Sequence, residues 1–316
     1  MKKVLFIDTV HPLIREELTA MGFQCDDFPH FGKNDYKAVA GEYTGIVIRS
    51  KIKIDKSFLD CATQLKFIGR VGSGLENIDA AYAESRGIHC LNSPEGNRDA
   101  VGEHALGMLL ALINHICVAN REIRQGKWIR EGNRGVEIKG KTIGVIGYGN
   151  MGGAFAQRLK GFEARVISYD KYKTRYSDEY VRESTMDEVW EMADIVSLHV
   201  PLTEETLYLA DDVFFQKFKK DIFLMNTSRG QVVKTSDLVR ALKSGKVKGA
   251  ALDVLEFEDS SFEALSKDIP ADFRYLLEAD NVLLTPHIAG WTVESLYKLA
   301  KVLAEKILVE FTSGRM

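Results

Sequence analysis

Apolar residues fall along this chain in short unbroken runs, each followed by a stretch in which they return every three or four positions. VLFI at 4–7, GIVIR at 45–49 and KFIGRV at 66–71 are runs of the first kind. They predict strands over 4–8, 45–49 and 66–71, since solid apolar runs suit strands covered on both faces. The segments 12–21, 57–61 and 80–85 carry the helical period. This alternation is βαβ grammar and predicts a parallel sheet covered by helices. A long helical pattern follows over 100–124 and is apolar on more than one face, as in a helix packed between domains or subunits. A second series then places six buried strands at 143–146, 165–169, 194–199, 222–226, 249–252 and 282–284, which predicts a second, larger sheet. The last helix, 293–311, comes too late to belong obviously to either unit.

Length and charge narrow the class. With 316 residues, 45% hydrophobic and 28% charged, the chain exceeds one comfortable core, so two domains are expected. Lys and Arg number 42 against 45 Asp and Glu, a net charge of -3. Without long blocks of like charge, neither a nucleic-acid partner nor a membrane surface is expected, and small molecules are. Met1-Lys2-Lys3 runs directly into the first apolar run and reads as a buried strand, not a signal segment. No apolar run reaches spanning length. Cys25, Cys61, Cys90 and Cys117 lack CxxC spacing, so reduced thiols in a cytoplasmic protein, with no bound metal, are expected.

The first strand of the second series ends in TIGVIGYGNMG, where Gly147, Gly149 and Gly152 form GxGxxG between a strand and a helix beginning near Met151. That context makes the motif specific: the tight turn aims backbone amides and a helix N-terminus at a pyrophosphate. Asp170 ends the next strand, where a carboxylate accepts both ribose hydroxyls and repels a 2′-phosphate, favouring NAD over NADP. Lys171, Lys173 and Arg175 follow, and either soften that preference or form a solvated loop.

Three ionisable residues follow later strands. Arg229 comes after FLMNTS, Glu258 after ALDVLEF and His287 after VLLTP, where Pro286 stops the strand. One parallel sheet brings all three loops to its carboxyl edge, where open α/β sheets assemble their sites.

At this point the chain resembles the D-isomer-specific 2-hydroxyacid dehydrogenases over essentially its whole length. The motifs that carry the resemblance are RVGSGLENID, NSPEGNRDAVGEHALGMLLAL, GKTIGVIGYGNMG, HVPLTEET, NTSRGQVV, GAALDVLEFE and NVLLTPHIAG. The resemblance implies an α/β fold of two Rossmann-like or flavodoxin-like domains, an NAD-binding domain at 99–287 inserted into a smaller substrate domain formed by 1–98 and 288–316. It also implies a homodimer joined through the nucleotide domains.

Carried over residue by residue, the family's Arg-Glu-His set falls on Arg229, Glu258 and His287. His287 would exchange the hydroxyl proton of a 2-hydroxy acid while hydride passes between C2 and nicotinamide. Glu258 would orient the imidazole, and Arg229 would hold the substrate carboxylate with a planar fork. The turn Gly147-Tyr148-Gly149-Asn150-Met151-Gly152 would meet the pyrophosphate, Asp170 the ribose, and Val200-Pro201 the adenine. Thr206 would lie near the phosphates, and Gly290 would border the cofactor beside His287. Thr227 by its carbonyl and Asp253 by its side chain would grip the carboxamide; alternatively Asp253 caps a turn. Ser73-Gly74 would form a second carboxylate clamp. Glu103 and His104 read as packing or hinge residues, His199 as lining, and Trp291 as either a substrate cover or core. One departure is Asp259, where the family often has proline. With Ser260 and Ser261 beside it, Glu256 remains an alternative to Glu258.

The segment IVIRSKIKID resembles the phosphoglycerate dehydrogenases within that family. Arg49 and Lys51 would then bind a phosphate, assisted by Asn97 and Arg98, and the long carboxyl-terminal regulatory extension of some members is not expected. Alternatives are a glyoxylate or hydroxypyruvate reductase, a broad D-2-hydroxyacid dehydrogenase, and a non-enzymatic NAD(H)-sensing corepressor.

Overall fold

A computed structural model describes residues 2–258 and 270–313. Among these the chain divides into two compact units, residues 2–98 with 291–313, and residues 99–258 with 270–290.

The first unit is a five-stranded sheet of β1 (Lys3–Phe6), β2 (Gln24–Asp27), β3 (Gly45–Ile48), β4 (Phe67–Arg70) and β5 (His89–Asn92) in the order β2-β1-β3-β4-β5. Every pairing is parallel. Helices α1 (Leu13–Ala20), α2 (Lys33–Val39), α3 (Lys56–Leu59) and α4 (Ala80–Ser85) connect the strands. One core joins Leu5, Ile46, Ile48 and Ile68 to Tyr36 and Phe58; a second joins Val4, Phe6, Val47 and Phe67 to Ile14, Leu18, Leu303 and Ile307. Consecutive strand residues therefore feed opposite cores, the period-two alternation of a sheet covered on both sides.

The C-terminal helix Val293–Thr312 belongs to the second of those cores. A β-carbon at Gly96 would lie 2.6 Å from the Leu299 backbone, so glycine is what allows the Pro94–Gly96 turn to lie against that helix. Lys306 closes the contact, donating to Asn92 O and to both oxygens of Glu95.

The second unit begins at Asp99, one residue into α5 (Arg98–Ile113), which is followed by α6 (Ile116–Arg124). A single helix was expected over 100–124. The chain instead bends by 62° between the two, where His115 takes the left-handed φ of 52°, a conformation that a continuous helix of L-residues excludes.

Strands β6 (Thr142–Ile146), β7 (Arg165–Tyr169), β8 (Arg182–Glu183), β9 (Ile195–Leu198), β10 (Ile222–Asn226), β11 (Val247–Leu252) and β12 (Val282–Leu284) pair in the order β12-β11-β10-β9-β6-β7-β8. All pairings are again parallel. Helices α7 (Asn150–Arg158), α8 (Met186–Met192), α9 (Asp212–Lys217), α10 (Thr235–Ser244) and α11 (Ala271–Glu278) complete a doubly wound α/β unit. Strand order reverses between β6 and β9, which opens a crevice at the carboxyl end of β6. This unit extends past His287 to Gly290 because the amides of Ile288 and Ala289 are held by Asp253, inside the same unit.

Replacing Gly96 by alanine should overpack the helix contact and lower stability by about 1–3 kcal/mol. A urea titration followed by circular dichroism measures the shift.

Candidate active site

The glycine-rich turn is shaped by contacts that only glycine permits. Gly147 has φ 92°, and a β-carbon there would lie 2.5 Å from the carbonyl oxygen of His199; at Gly152 it would lie 2.1 Å from Gly147 O. At Gly149 a β-carbon would meet nothing within 4 Å, so this residue borders open space. Gly149 is also the N-cap of α7 and supplies no side-chain acceptor, whereas α8 and α9 are capped by Thr185 and Asp211. The leading amides of α7 and its dipole therefore suit an anion from outside the chain. That is the fit a dinucleotide pyrophosphate requires, with Gly149, Asn150 and Met151 as the residues that would hold it.

Around this turn the sequence-derived residues divide. Asp170 accepts from the amide of Tyr148 at 2.8 Å and from those of Tyr172 and Lys173 at 3.0 and 3.1 Å, tying its own loop to the glycine-rich turn. Lys173 adds a cation there, donating from Nζ to Tyr148 O at 2.7 Å. Tyr148 turns inward: its ring is buried against Tyr176 and its hydroxyl donates to Asp178. Val200 packs beside Gly147. The Thr206 hydroxyl donates to Pro201 O at 2.6 Å and accepts from Thr203 N, closing the 201–206 loop on itself. Thr227 is buried, its hydroxyl without a partner. At the end of β9, His199 bonds Ser197 through Nε2 while Nδ1 is sealed from solvent. Burial pulls its pKa from 6.5 down to about 4, so the ring is neutral near neutral pH.

The catalytic candidates come from three loops at the carboxyl edge of the same sheet. Arg229 follows β10 in a turn held by Asn226, whose Oδ1 accepts from the amide and hydroxyl of Ser228 while Nδ2 donates to Arg229 O. The Arg229 Nη1 donates to Ser228 O at 2.6 Å. A β-carbon on Gly230 would lie 1.9 Å from the carbonyl oxygen of Leu255. Backbone therefore lies directly on backbone, and the Arg229 loop abuts the Glu258 loop. Glu258 accepts from Leu255 N and, through Oε2, meets His287 Nδ1 at 2.6 Å. Glu256 faces elsewhere, accepting from Tyr208 Oη and Thr235 N at 2.9 Å each. Of the two carboxylates, Glu258 partners the imidazole. Asp259, Ser260 and Ser261 lie outside the described residues.

Asp253 holds the histidine loop. It is 1% exposed, and its main-chain carbonyl accepts from His287 N at 2.8 Å. Its carboxylate accepts from the Thr285 hydroxyl at 2.6 Å and from the amides of Ile288 and Ala289 at 2.9 Å each. Burial by itself would raise the Asp253 pKa, but hydrogen bonds from His104, Thr285, Ala289 and Ile288 outweigh it and hold the carboxyl below its usual range. The side chain thus caps the loop. His287 sits in the middle of that loop with a left-handed φ of 55°, a conformation uncommon for residues other than glycine.

In the first unit, Asp8 at the end of β1 accepts from the amides of Arg49, Ser50 and Lys51. The Arg49 guanidinium lies 4.3 Å over the Trp291 ring. Lys51 reaches into its own unit. Its Nζ donates to Pro29 O at 2.9 Å and Tyr36 Oη at 3.1 Å, so the ammonium braces α2 and is engaged by the protein. Ser73 and Asn97 do meet, with Ser73 Oγ donating to Asn97 Oδ1 at 2.7 Å, and the Gly72 carbonyl accepts from Ser93 N. Gly74 is half-buried in the same turn. Sequence reasoning passed over Arg70, which is 8% exposed, donates from Nε to Arg49 O, and has its guanidinium where a β-carbon on Gly72 would fall. A charged residue ending a strand immediately before a glycine turn was the available signal.

Residues 106–289 match the model of the D-isomer specific 2-hydroxyacid dehydrogenase, NAD binding domain. The chain is 36% identical over 283 residues to the hydroxypyruvate reductase of Thermotoga maritima, covering 89% of each. It is 39% identical over 269 residues to the D-3-phosphoglycerate dehydrogenase of Archaeoglobus fulgidus, covering 84% of this chain and 49% of that one; the chain thus spans about half the length of that relative. The structure of D-lactate dehydrogenase from Aquifex aeolicus, complexed with NAD and lactic acid, superposes with a TM-score of 0.83 at 28% identity, covering 99% of this chain and 96% of that one. The chain belongs to the D-isomer specific 2-hydroxyacid dehydrogenase family.

Asp253→Asn removes a charge-assisted acceptor and should cost about 1.5–3 kcal/mol at neutral pH. Because the folded pKa is depressed, the parent's advantage is present above the ordinary value of 3.8 and declines as pH falls through the folded value. Urea titrations of both proteins across that range should show their difference shrinking towards acid.

Proposed function

We propose that the chain is a D-2-hydroxyacid dehydrogenase that uses NAD. The observation that carries this reading is the 2.6 Å contact between His287 Nδ1 and Glu258 Oε2, on loops at the carboxyl edge of the sheet that bears the glycine-rich turn. Glu258 holds the ring through Nδ1, and the imidazole is the group that exchanges a proton with substrate. Glu258 orients the ring and stabilises the imidazolium formed on oxidation of the alcohol. Arg229 holds the carboxylate of the 2-hydroxy acid and polarises its oxygen on reduction. The nicotinamide, when bound, supplies or accepts the hydride. This proton chemistry distinguishes an enzyme from a dinucleotide sensor, which needs no acid-base pair.

NAD is favoured over NADP by the Asp170 carboxylate at the end of β7, although Lys173 places a cation beside the same turn. For substrate, 3-phosphoglycerate is the leading proposal, supported by Arg49 and Arg70 in the first unit. That unit would serve as the substrate domain, with Ser73, Gly74 and Asn97 contributing. Reduction of hydroxypyruvate or glyoxylate is the second reading, favoured because Lys51 is engaged internally. A homodimer joined through the second unit is part of the proposal, supported by the exposed apolar side chains of Ile116, Ile123, Trp128 and Ile129.

Following NADH absorbance with 3-phosphoglycerate, glycerate, hydroxypyruvate, glyoxylate and lactate tests the activity and ranks the substrates by kcat/KM. His287→Gln should lose about 10²–10⁴-fold in kcat; undiminished turnover overturns the mechanism. Arg49→Ala should weaken only the phosphorylated compound, and equal loss on all removes phosphate recognition.

A further inference from the structure

His104 lies on α5, far in sequence from the proposed chemistry, yet its Nε2 is 3.2 Å from Thr285 Oγ1 and 3.4 Å from Asp253 Oδ1. The hydroxyl of Thr285 has one proton, and at 2.6 Å from Asp253 Oδ1 that proton is committed to the carboxylate. Both oxygens near His104 Nε2 are therefore acceptors, so Nε2 carries a hydrogen and shares it between them. The Asp253 carboxylate is the group whose other bonds hold the amides of Ile288 and Ala289 on the far side of His287.

We propose that His104 is a positioning residue: its Nε2–H steadies the Asp253–Thr285 pair and, through that pair, the backbone from which His287 projects. The helix that carries it is well placed to act as a fixed support. A β-carbon on Gly102 would fall 2.8 Å from Ala154 O, so α5 lies in close contact with α7. Arg158 on α7 reaches back to Asp99 at 3.0 Å. One turn beyond His104, Met108 is buried with its sulfur 3.7 Å from Thr285 Oγ1, so the hydroxyl is flanked by α5 at two points. The helix that abuts the proposed pyrophosphate-binding helix thus also braces the histidine loop. In this region His104 contacts Thr285 and Asp253, and it acts through that pair.

The kinetic half of this proposal rests on the dehydrogenase reading; the structural half does not. His104→Leu keeps bulk and removes the donor, while His104→Gln retains an N–H at about the same reach. Hydrogen–deuterium exchange, read by mass spectrometry over residues 285–290, should run about 10-fold faster in the leucine variant, the effect of losing one hydrogen bond. It should stay within about 2-fold of the parent in the glutamine variant, with β6 unchanged in both. With 2-oxo acid and NADH, kcat should fall about 10-fold in the leucine variant while KM moves by less than about 2-fold, and glutamine should restore it. Unchanged exchange at 285–290 in His104→Leu, or acceleration spread equally to β6, overturns the proposal. If the parent shows no turnover, the dehydrogenase reading fails on its own, and the exchange comparison still decides whether His104 steadies the loop.

Discussion

A single buried carboxylate organises the histidine loop. Asp253 is sealed from water at the end of β11 and stays charged because four donors converge on it: the hydroxyl of Thr285, the amides of Ile288 and Ala289, and the ring of His104. An ion so placed is costly unless each lone pair finds a partner. The chain after β12 supplies those partners by curling around the carboxylate, and the curl puts His287 into a left-handed backbone conformation. The backbone position of His287 thus follows from satisfying one charge, while the ring itself meets Glu258.

Around that point, parallel topology supplies the rest. Because β10, β11 and β12 run in the same direction as neighbours, the loops carrying Arg229, Glu258 and His287 leave the sheet at one edge. The same edge bears the turn after β6, where Gly147 and Gly152 are set by backbone contacts and the helix begins without a side-chain cap. One sheet edge thus carries both a helix N-terminus without a side-chain cap and the hydrogen-bonded Glu258–His287 pair.

Much of this is legible in the residues. Strands flanked on both sides were readable as solid apolar runs, and the glycine spacing between strand and helix pointed to the turn. The three overlooked strands, β2, β5 and β8, all lie at sheet edges. Their sequences, QCDD, HCLN and RE, lack the solid apolar run by which the other strands were read. The break at His115 left no proline or glycine as a marker. Side-chain direction was the least readable level. Nothing local distinguishes Glu256 from Glu258, or reveals that Lys51 folds back on Tyr36 and Asp253 turns inward, since those outcomes depend on partners remote in sequence. Arg70 did carry a local signal, the glycine two residues after it, whereas its other partner, the Arg49 carbonyl, lies on the adjacent strand.

The interlock between Gly230 and the Leu255 carbonyl has a consequence for how such a chain diversifies. Two loops with no room between their backbones are inherited as one piece, and a mutation that shifts either one disturbs both. A paired change, one in each loop, is therefore the route by which either backbone could be reshaped.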